Sequence, residues 1–241
     1  MTPVLSLVVP LFNEQANVRA LVERVIGSEL PESGLSELIL VENGSRDGTR
    51  QIVQELAADH RLIKPVYLDA NEGYGGGVYT GLRAATSSTV GYMPGDLQVT
   101  PEDVLKVWRA TQELIASGTK LYLVKGVRTE RRDGLQTVIP SYVYTALGNA
   151  MLGLRIRDIN GLPKLFGREL IDRIPDRRMH TFTFDAQLLA LAVRADYELR
   201  EVPVCFHARR QGVSSWGTKR LRTYANAIKD LVVLRRAQRS G

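Results

Sequence analysis

The 241-residue sequence predicts an α/β fold, a mostly parallel sheet with helices on both faces, followed by a basic C-terminal helix. Three observations predict it. Short apolar runs alternate with segments of helical period from the N-terminus to about residue 117, the pattern of successive βα units with buried strands. Each run stops at a cluster of Pro, Gly, Asn, Asp or Glu, so polar residues collect at the carboxyl ends of strands. A hydrophobic fraction of 44% supplies the core of one large domain, placed at residues 1–217, with the basic helix at 218–241.

In chain order, Leu5 to Val9 is a strand ended by Pro10, and Val18, Leu21, Val22 and Val25 mark one face of the helix after it. Leu38 to Val41 is a second strand, followed by a polar turn and a helix carrying Ile52, Val53 and Leu56. A third strand near Pro65 to Leu68 leads into the glycine run 73–77, with helix from Val78 to Ala85. Val90 to Met93 is a fourth strand that Pro94-Gly95 cannot continue, because proline lacks a ladder donor and glycine favours a turn. Thr100-Pro101-Glu102-Asp103 then starts a helix with a hydroxyl cap, proline at the first position and an acid three residues later. Lys120 to Val124 is a further strand, expected to deliver Lys125, Arg128, Arg131 and Arg132 into a loop. Tyr142 to Leu152 reads as helix, Pro163 to Phe166 as strand, the segment with Phe182, Leu188, Leu189 and Val193 as helix, and Leu199 to Val204 as the last strand.

Charge and cysteine content narrow the function classes. Residues 207–241 hold nine Lys or Arg against the single acid Asp230, so this segment carries +8 of a net +6 and the rest of the chain −2. A basic tail on a near-neutral body suggests an anionic surface, or else a solvated helix docked on the domain or on a second subunit. Basic residues there are not interleaved with stacking aromatics, which argues against nucleic acid. The lone Cys205 excludes an internal disulfide and a Cys-rich zinc site, and in the run Val202 to Phe206 it reads as a buried, inert thiol. No leader is evident and no apolar run approaches the roughly 18 residues of a membrane span, so a cytoplasmic, membrane-peripheral protein is expected.

The candidate site lies at the strand ends. Asp96 and Gln98 share the turn after the fourth strand, where oxygen ligands suit a hard divalent cation, although an acid beside glycine is also an ordinary turn residue. Asn13 and Glu14 follow the first strand, and Glu42 and Asn43 end the second. The glycines after Asn71 either approach a phosphate or let helix pack on sheet; neither G-x-G-x-x-G nor G-x-x-x-x-G-K fits them. Arg128 and Arg131 are suited to phosphate, with a solvated loop as the alternative for Arg131 and Arg132. Asp185 stands near a helix start, where an acid also complements the dipole.

These pieces together resemble glycosyltransferase family 2 with its GT-A fold, nearest the dolichol-phosphate mannosyltransferase and polyprenyl-phosphate glycosyltransferase-like branch. The matches are Val8-Val9-Pro10-Leu11-Phe12-Asn13-Glu14, Glu42-Asn43-Gly44-Ser45-Arg46-Asp47-Gly48-Thr49, Asn71 to Gly77, Gly95-Asp96-Leu97-Gln98, Gly126-Val127-Arg128 and Arg210-Gln211-Gly212-Val213-Ser214. The resemblance implies a nucleotide-sugar donor, GDP- or UDP-linked, bound by Pro10, Phe12, Asn13, Glu14, Glu42, Asn43, Asn71, Gly73, Gly75, Gly76 and Asp96. It implies Mg²⁺ or Mn²⁺ on Asp96 and Gln98, and a lipid-phosphate acceptor met by Arg128, Arg131, Arg210 and Ser214. Asp96, Arg128 and Asp185 would be catalytic, and a homo-oligomer or a membrane-protein partner stays open. Two departures stand out: Pro94 occupies the first carboxylate position of the family's D-x-D, and Glu42-Asn43 replaces its paired aspartates. A saccharide hydroxyl as acceptor, with Asp185 as base, and a catalytically silent nucleotide-sugar binder are the alternatives.

Overall fold

The computed structural model describes residues 3–131, 135–176, 178–207 and 220–240. Its strands are β1 (Leu5–Leu11), β2 (Leu35–Asn43), β3 (Ile63–Leu68), β4 (Thr89–Tyr92), β5 (Tyr122–Arg131), β6 (Lys164–Gly167) and β7 (Glu198–Phe206). The helices are α1 (Val18–Ile26), α2 (Thr49–Asp59), α3 (Gly73–Ala84), α4 (Pro101–Ala116), α5 (Leu135–Leu152), α6 (Phe184–Arg194) and α7 (Arg220–Ser240), with a 3₁₀ turn at Arg168–Arg173.

One sheet in the order β3-β2-β1-β4-β6-β5-β7 organises the chain. The first four strands run parallel; β6 is antiparallel to both neighbours, and β5 pairs parallel with β7. The chain moves outward from β1 to β3 and then crosses back to β4, so right-handed crossovers place α1 and α2 on one face and α3 on the other. Strand order reverses between β1 and β4, the position beyond whose carboxyl ends open α/β sheets bind ligands. The turns after β1, β2 and β4 stand at that end of the sheet.

Local chemistry accounts for the elements. The α4 cap forms as expected, Thr100 accepting from the Asp103 N–H at 3.3 Å behind Pro101. Trp108 on α4 is fully buried and donates from Nε1 to the Ser33 carbonyl at 2.8 Å, tying α4 to the chain before β2. Four expectations change. β5 runs on to Arg131, so Lys125 lies in mid-strand and not in a loop. α3 begins at Gly73, which makes the glycine run its first turn and not a preceding loop. α5 begins at Leu135, ahead of the expected Tyr142, and carries Pro140 inside it, which removes one intrahelical donor there. Cys205 is half-buried in β7, less enclosed than its apolar run suggested.

Candidate active site

The three parallel-strand turns are held mainly by one another. Asn13, in the left-handed region at φ 56°, donates its N–H to Ser45 Oγ at 3.0 Å, and its side-chain oxygen accepts from the Arg46 N–H at 2.8 Å. The Glu14 N–H donates to Thr49 Oγ1 at 2.9 Å, while Glu14 Oε2 accepts from Asn17 Nδ2 at 2.6 Å. Glu42 is fully buried; its oxygens accept from the Ser45 N–H at 2.5 Å and from Arg50 Nε at 2.7 Å. Its expected place as a nucleotide contact is therefore revised, because both carboxylate oxygens close its own turn. Asn43 links β2 to α3, donating to the Gly73 carbonyl at 2.9 Å and accepting from the Glu72 N–H at 3.0 Å. The N–H groups of Gly73 and Gly75 donate to Asn71 Oδ1 at 2.7 Å and to the His180 carbonyl at 2.9 Å. Those two donors serve the protein, so the phosphate-cradle reading is withdrawn for them. Pro10 and Phe12 sit at the end of β1 beside these turns, and Gly76 in the first turn of α3.

The turn after β4 holds the oxygen donors. Asp96 is half-buried, and its Oδ1 accepts from the Gln98 N–H at 3.2 Å across Leu97 in the left-handed region at φ 63°. Gln98 Nε2 donates to the His207 carbonyl at 3.0 Å, and the Gln98 carbonyl accepts from the His207 N–H at 3.0 Å. With Nε2 committed, Oε1 is the atom of Gln98 that a cation can use. Among the described residues no three His, Cys, Asp or Glu side chains could hold a metal by themselves. One carboxylate and one amide oxygen fit Mg²⁺ or Mn²⁺ held jointly with substrate phosphates and water, not a cage built from protein alone.

A second cluster, buried between β4, β5, β6 and α6, was not anticipated. Asp185 in the first turn of α6 is 2% exposed; Oδ1 accepts from Tyr92 Oη at 2.5 Å and Lys164 Nζ at 2.8 Å, and Oδ2 from Asn160 Nδ2 at 3.1 Å. Both oxygens accept from groups inside the protein, which weighs against the expected role as base or sugar contact. Arg128 grips Asp158 with two charge-assisted bonds, each 2.7 Å, and donates to Ser141 on α5 at 2.9 Å. Its guanidinium also lies 5.1 Å from the Phe206 ring centre. Burial would raise the Asp158 carboxyl, but the Arg128 hydrogen bonds and charge, with Lys125, hold it well below the usual carboxylate range. Lys125, fully buried, donates to the Asp158 and Gly126 carbonyls at 2.5 and 2.8 Å. Burial, with Lys164 nearby, lowers its ammonium to about 8 despite Asp158 and Glu201. Burial lowers Lys164 too, against the pull of Asp185.

Arg128 therefore arrives at the site already neutralised by Asp158, and is no longer the exposed phosphate receiver the sequence suggested. Arg131 ends β5; Arg132, Arg210 and Ser214 lie outside the described residues. Lys164, Asp158, Asn160 and Tyr92 were missed, and their signal was faint: a single lysine inside the apolar run Leu162 to Phe166, which only burial would explain. A hollow of about 310 Å³ lined by Arg24, Ser28, Thr100 and Glu102, among others, takes in none of these residues.

A family model described as glycosyl transferase family 2 matches residues 6–174. Dodecaprenyl-phosphate galacturonate synthase of Rhizobium johnstonii is 31% identical over 219 residues, 90% of this chain and 62% of the relative. Undecaprenyl-phosphate 4-deoxy-4-formamido-L-arabinose transferase of Pseudomonas aeruginosa is 27% identical over 94% of the chain and 63% of its own length. The chain thus spans less than two thirds of these relatives. Among solved structures, glucosyl-3-phosphoglycerate synthase of Mycobacterium tuberculosis, in complex with Mn²⁺, uridine diphosphate and phosphoglyceric acid, superposes with a TM-score of 0.73. That likeness, at 18% identity over 97% of this chain and 78% of the other, shows a shared GT-A fold.

Proposed function

Because the chain belongs to glycosyltransferase family 2, we propose that it transfers a sugar, with inversion, from a GDP- or UDP-sugar to a polyprenyl phosphate at a membrane surface. The observation that carries the choice of acceptor is the state of Asp185. A saccharide hydroxyl needs a base to take its proton, and the carboxylate assigned that task is buried, paired with Lys164 and bonded on both oxygens. A phosphate acceptor arrives ionised and needs none. Its oxygen bonds to the anomeric carbon while the bond to the diphosphate breaks, the electron pair leaving with the nucleoside diphosphate.

Relatives whose names place sugars on dodecaprenyl and undecaprenyl phosphate favour the same acceptor. In this reading the nucleotide binds beyond the carboxyl ends of β1 and β4, bordered by Pro10, Phe12 and Asn13 with Asn71 and Gly76. Glu14, Glu42 and Asn43 shape it by fixing the turns. Asp96 and Gln98 would hold Mg²⁺ or Mn²⁺, which supplies charge neutralisation for the departing diphosphate. Arg128, Arg131, Arg210 and Ser214 remain the acceptor-phosphate candidates, a phosphate competing with Asp158 for Arg128.

Membrane contact is supported by two helices. α5, which carries Ser141 against Arg128, exposes Ile139, Tyr142 and Val143. α7 packs on α5 through buried Leu231 and leaves Ile228, Val232 and Val233 exposed. Among the described residues no helix is long and apolar enough to cross a membrane, so surface attachment is the mode proposed.

The test is a screen of radiolabelled GDP- and UDP-sugars with polyprenyl phosphate, scoring label that enters the organic phase. Label carried by one donor and dependent on divalent cation is expected. Binding of a nucleotide sugar with no transfer under any condition would instead select the silent binder, which Pro94 in the D-x-D position favours.

A further inference from the structure

We infer that Tyr74 recognises the donor, its hydroxyl hydrogen-bonding a hydroxyl group of the sugar being transferred; this rests on the donor reading above. Tyr74 stands in the first turn of α3, where the backbone is pinned on both sides. Asn43 Nδ2 holds the Gly73 carbonyl at 2.9 Å, and the Gly75 N–H donates to the His180 carbonyl at 2.9 Å. Neither neighbour can move out: a methyl group on Gly73 would stand 2.4 Å from the His180 oxygen, and one on Gly75 2.2 Å from the Met179 oxygen and 2.8 Å from Phe184 Cβ. The close approach of α3 to the segment before α6 therefore fixes where the Tyr74 ring begins.

The ring is half-buried, yet its hydroxyl oxygen is enclosed and has no hydrogen-bond partner among the described residues. Enclosed hydroxyls without a partner are rare, because the group gives up its bonds to water and receives nothing in return. The charged groups nearby are satisfied: Asp185 has three partners and Asp158 is gripped by Arg128. The Tyr74 hydroxyl keeps a rigidly placed bonding group unused, which is the expected state of a contact completed by substrate.

The charges around the hydroxyl choose the substrate group. Burial keeps the phenol protonated, raising it well above its ordinary 10, and Asp185 acts on it more strongly than Asp96, with Arg128 weaker and opposite in sign. Asp185 is paired with Lys164 and Arg128 with Asp158, so the charges beside the hydroxyl are largely balanced within the protein. A sugar hydroxyl is uncharged and both donates and accepts, so it suits a protonated phenol among paired charges.

Tyr74→Phe removes one oxygen and keeps the ring. Calorimetry in Mg²⁺ or Mn²⁺ would compare wild type and variant with UDP-glucose, UDP-galacturonic acid and GDP-mannose, and with UDP and GDP alone. The variant should lose about tenfold in affinity for the nucleotide sugar that wild type prefers. It should bind the bare diphosphate as wild type does and melt no lower, since an unpaired buried hydroxyl contributes nothing to the free protein. Equal affinity for the nucleotide sugar, an equal loss for the bare diphosphate, or a melting point lower by several degrees would each overturn the inference while leaving the donor reading intact. Failure of wild type to bind any nucleotide sugar would overturn the donor reading and this inference with it.

Discussion

In β1, β2 and β4 the strand interiors are mostly aliphatic, Leu7, Val8, Val9, Ile39, Leu40 and Val90 all inaccessible, and most polar side chains gather at or past the strand ends. In β5 and β6 the lysines Lys125, in mid-strand, and Lys164, at the start of its strand, are equally inaccessible, balanced by Asp158, Asp185 and Glu201. The first half places chemistry on turns above an apolar floor, so a site residue can change without disturbing the core. The second half makes charge part of the core, where losing one partner strands the other. The half-buried turn after β4, with Asp96, is therefore separable from folding, and the region behind Asp185 and Arg128 is not.

The largest effect expected from this contrast is on stability. Asp185→Ala leaves Lys164 buried without its partner and should cost about 3–5 kcal/mol in denaturant unfolding. Replacing both, Asp185→Leu with Lys164→Met, should recover most of that. If Asp185→Ala unfolds like wild type, the cluster is not part of the core in the sense drawn here.

A pH profile sharpens the same point. Lys125 has a folded value of about 8 below its ordinary 10.5, so between these the unfolded chain holds a proton that the folded chain has released. Stability should therefore rise with pH from about 8 toward 10, by at most on the order of 3 kcal/mol over the full window. Lys125→Met should flatten that rise, and parallel profiles for the two proteins would contradict the assignment.

On the donor side the order reverses. Asp96→Asn should change unfolding free energy by less than about 0.5 kcal/mol, because the residue is half-buried on a turn. It should nevertheless abolish metal-dependent nucleotide binding in calorimetry. Unchanged binding would remove Asp96 from the metal site.

The smallest effect concerns the tail. Leu231 and Leu234 of α7 are buried, so part of its apolar face is spent on docking to the domain, one of the two roles expected for it. Replacing Arg235, Arg236 and Arg239 with glutamine should leave stability unchanged and weaken sedimentation with anionic liposomes at low salt, at about 1 kcal/mol per cation. Equal sedimentation would leave the exposed Ile139, Tyr142 and Val143 of α5 as the surface to test next.

The parallel half was legible because its signals are local: an apolar run, a breaker and a helical period identify β1 to α4 to within a few residues, and the turns between them follow. Position at a strand end was also readable, but partners were not. Glu42 looks the same in sequence whether it meets a nucleotide or closes its own turn with Ser45 and Arg50. Lys125 looked like a loop cation because a charged residue ordinarily ends a buried strand, and only its partner Asp158, 33 residues away, makes a mid-strand lysine tolerable. Asp185 and Lys164 depended likewise on a pairing between elements that no local pattern encodes.

The central claim, that an ionised acceptor removes the need for a base, is tested most directly by offering the preferred donor to a polyprenyl phosphate and to the matching polyprenol side by side. The account predicts label in the organic phase with the phosphate and none with the alcohol, and the same phosphate dependence in the Asp185→Leu, Lys164→Met double variant. Transfer to the alcohol, or to a saccharide in place of both, would contradict it.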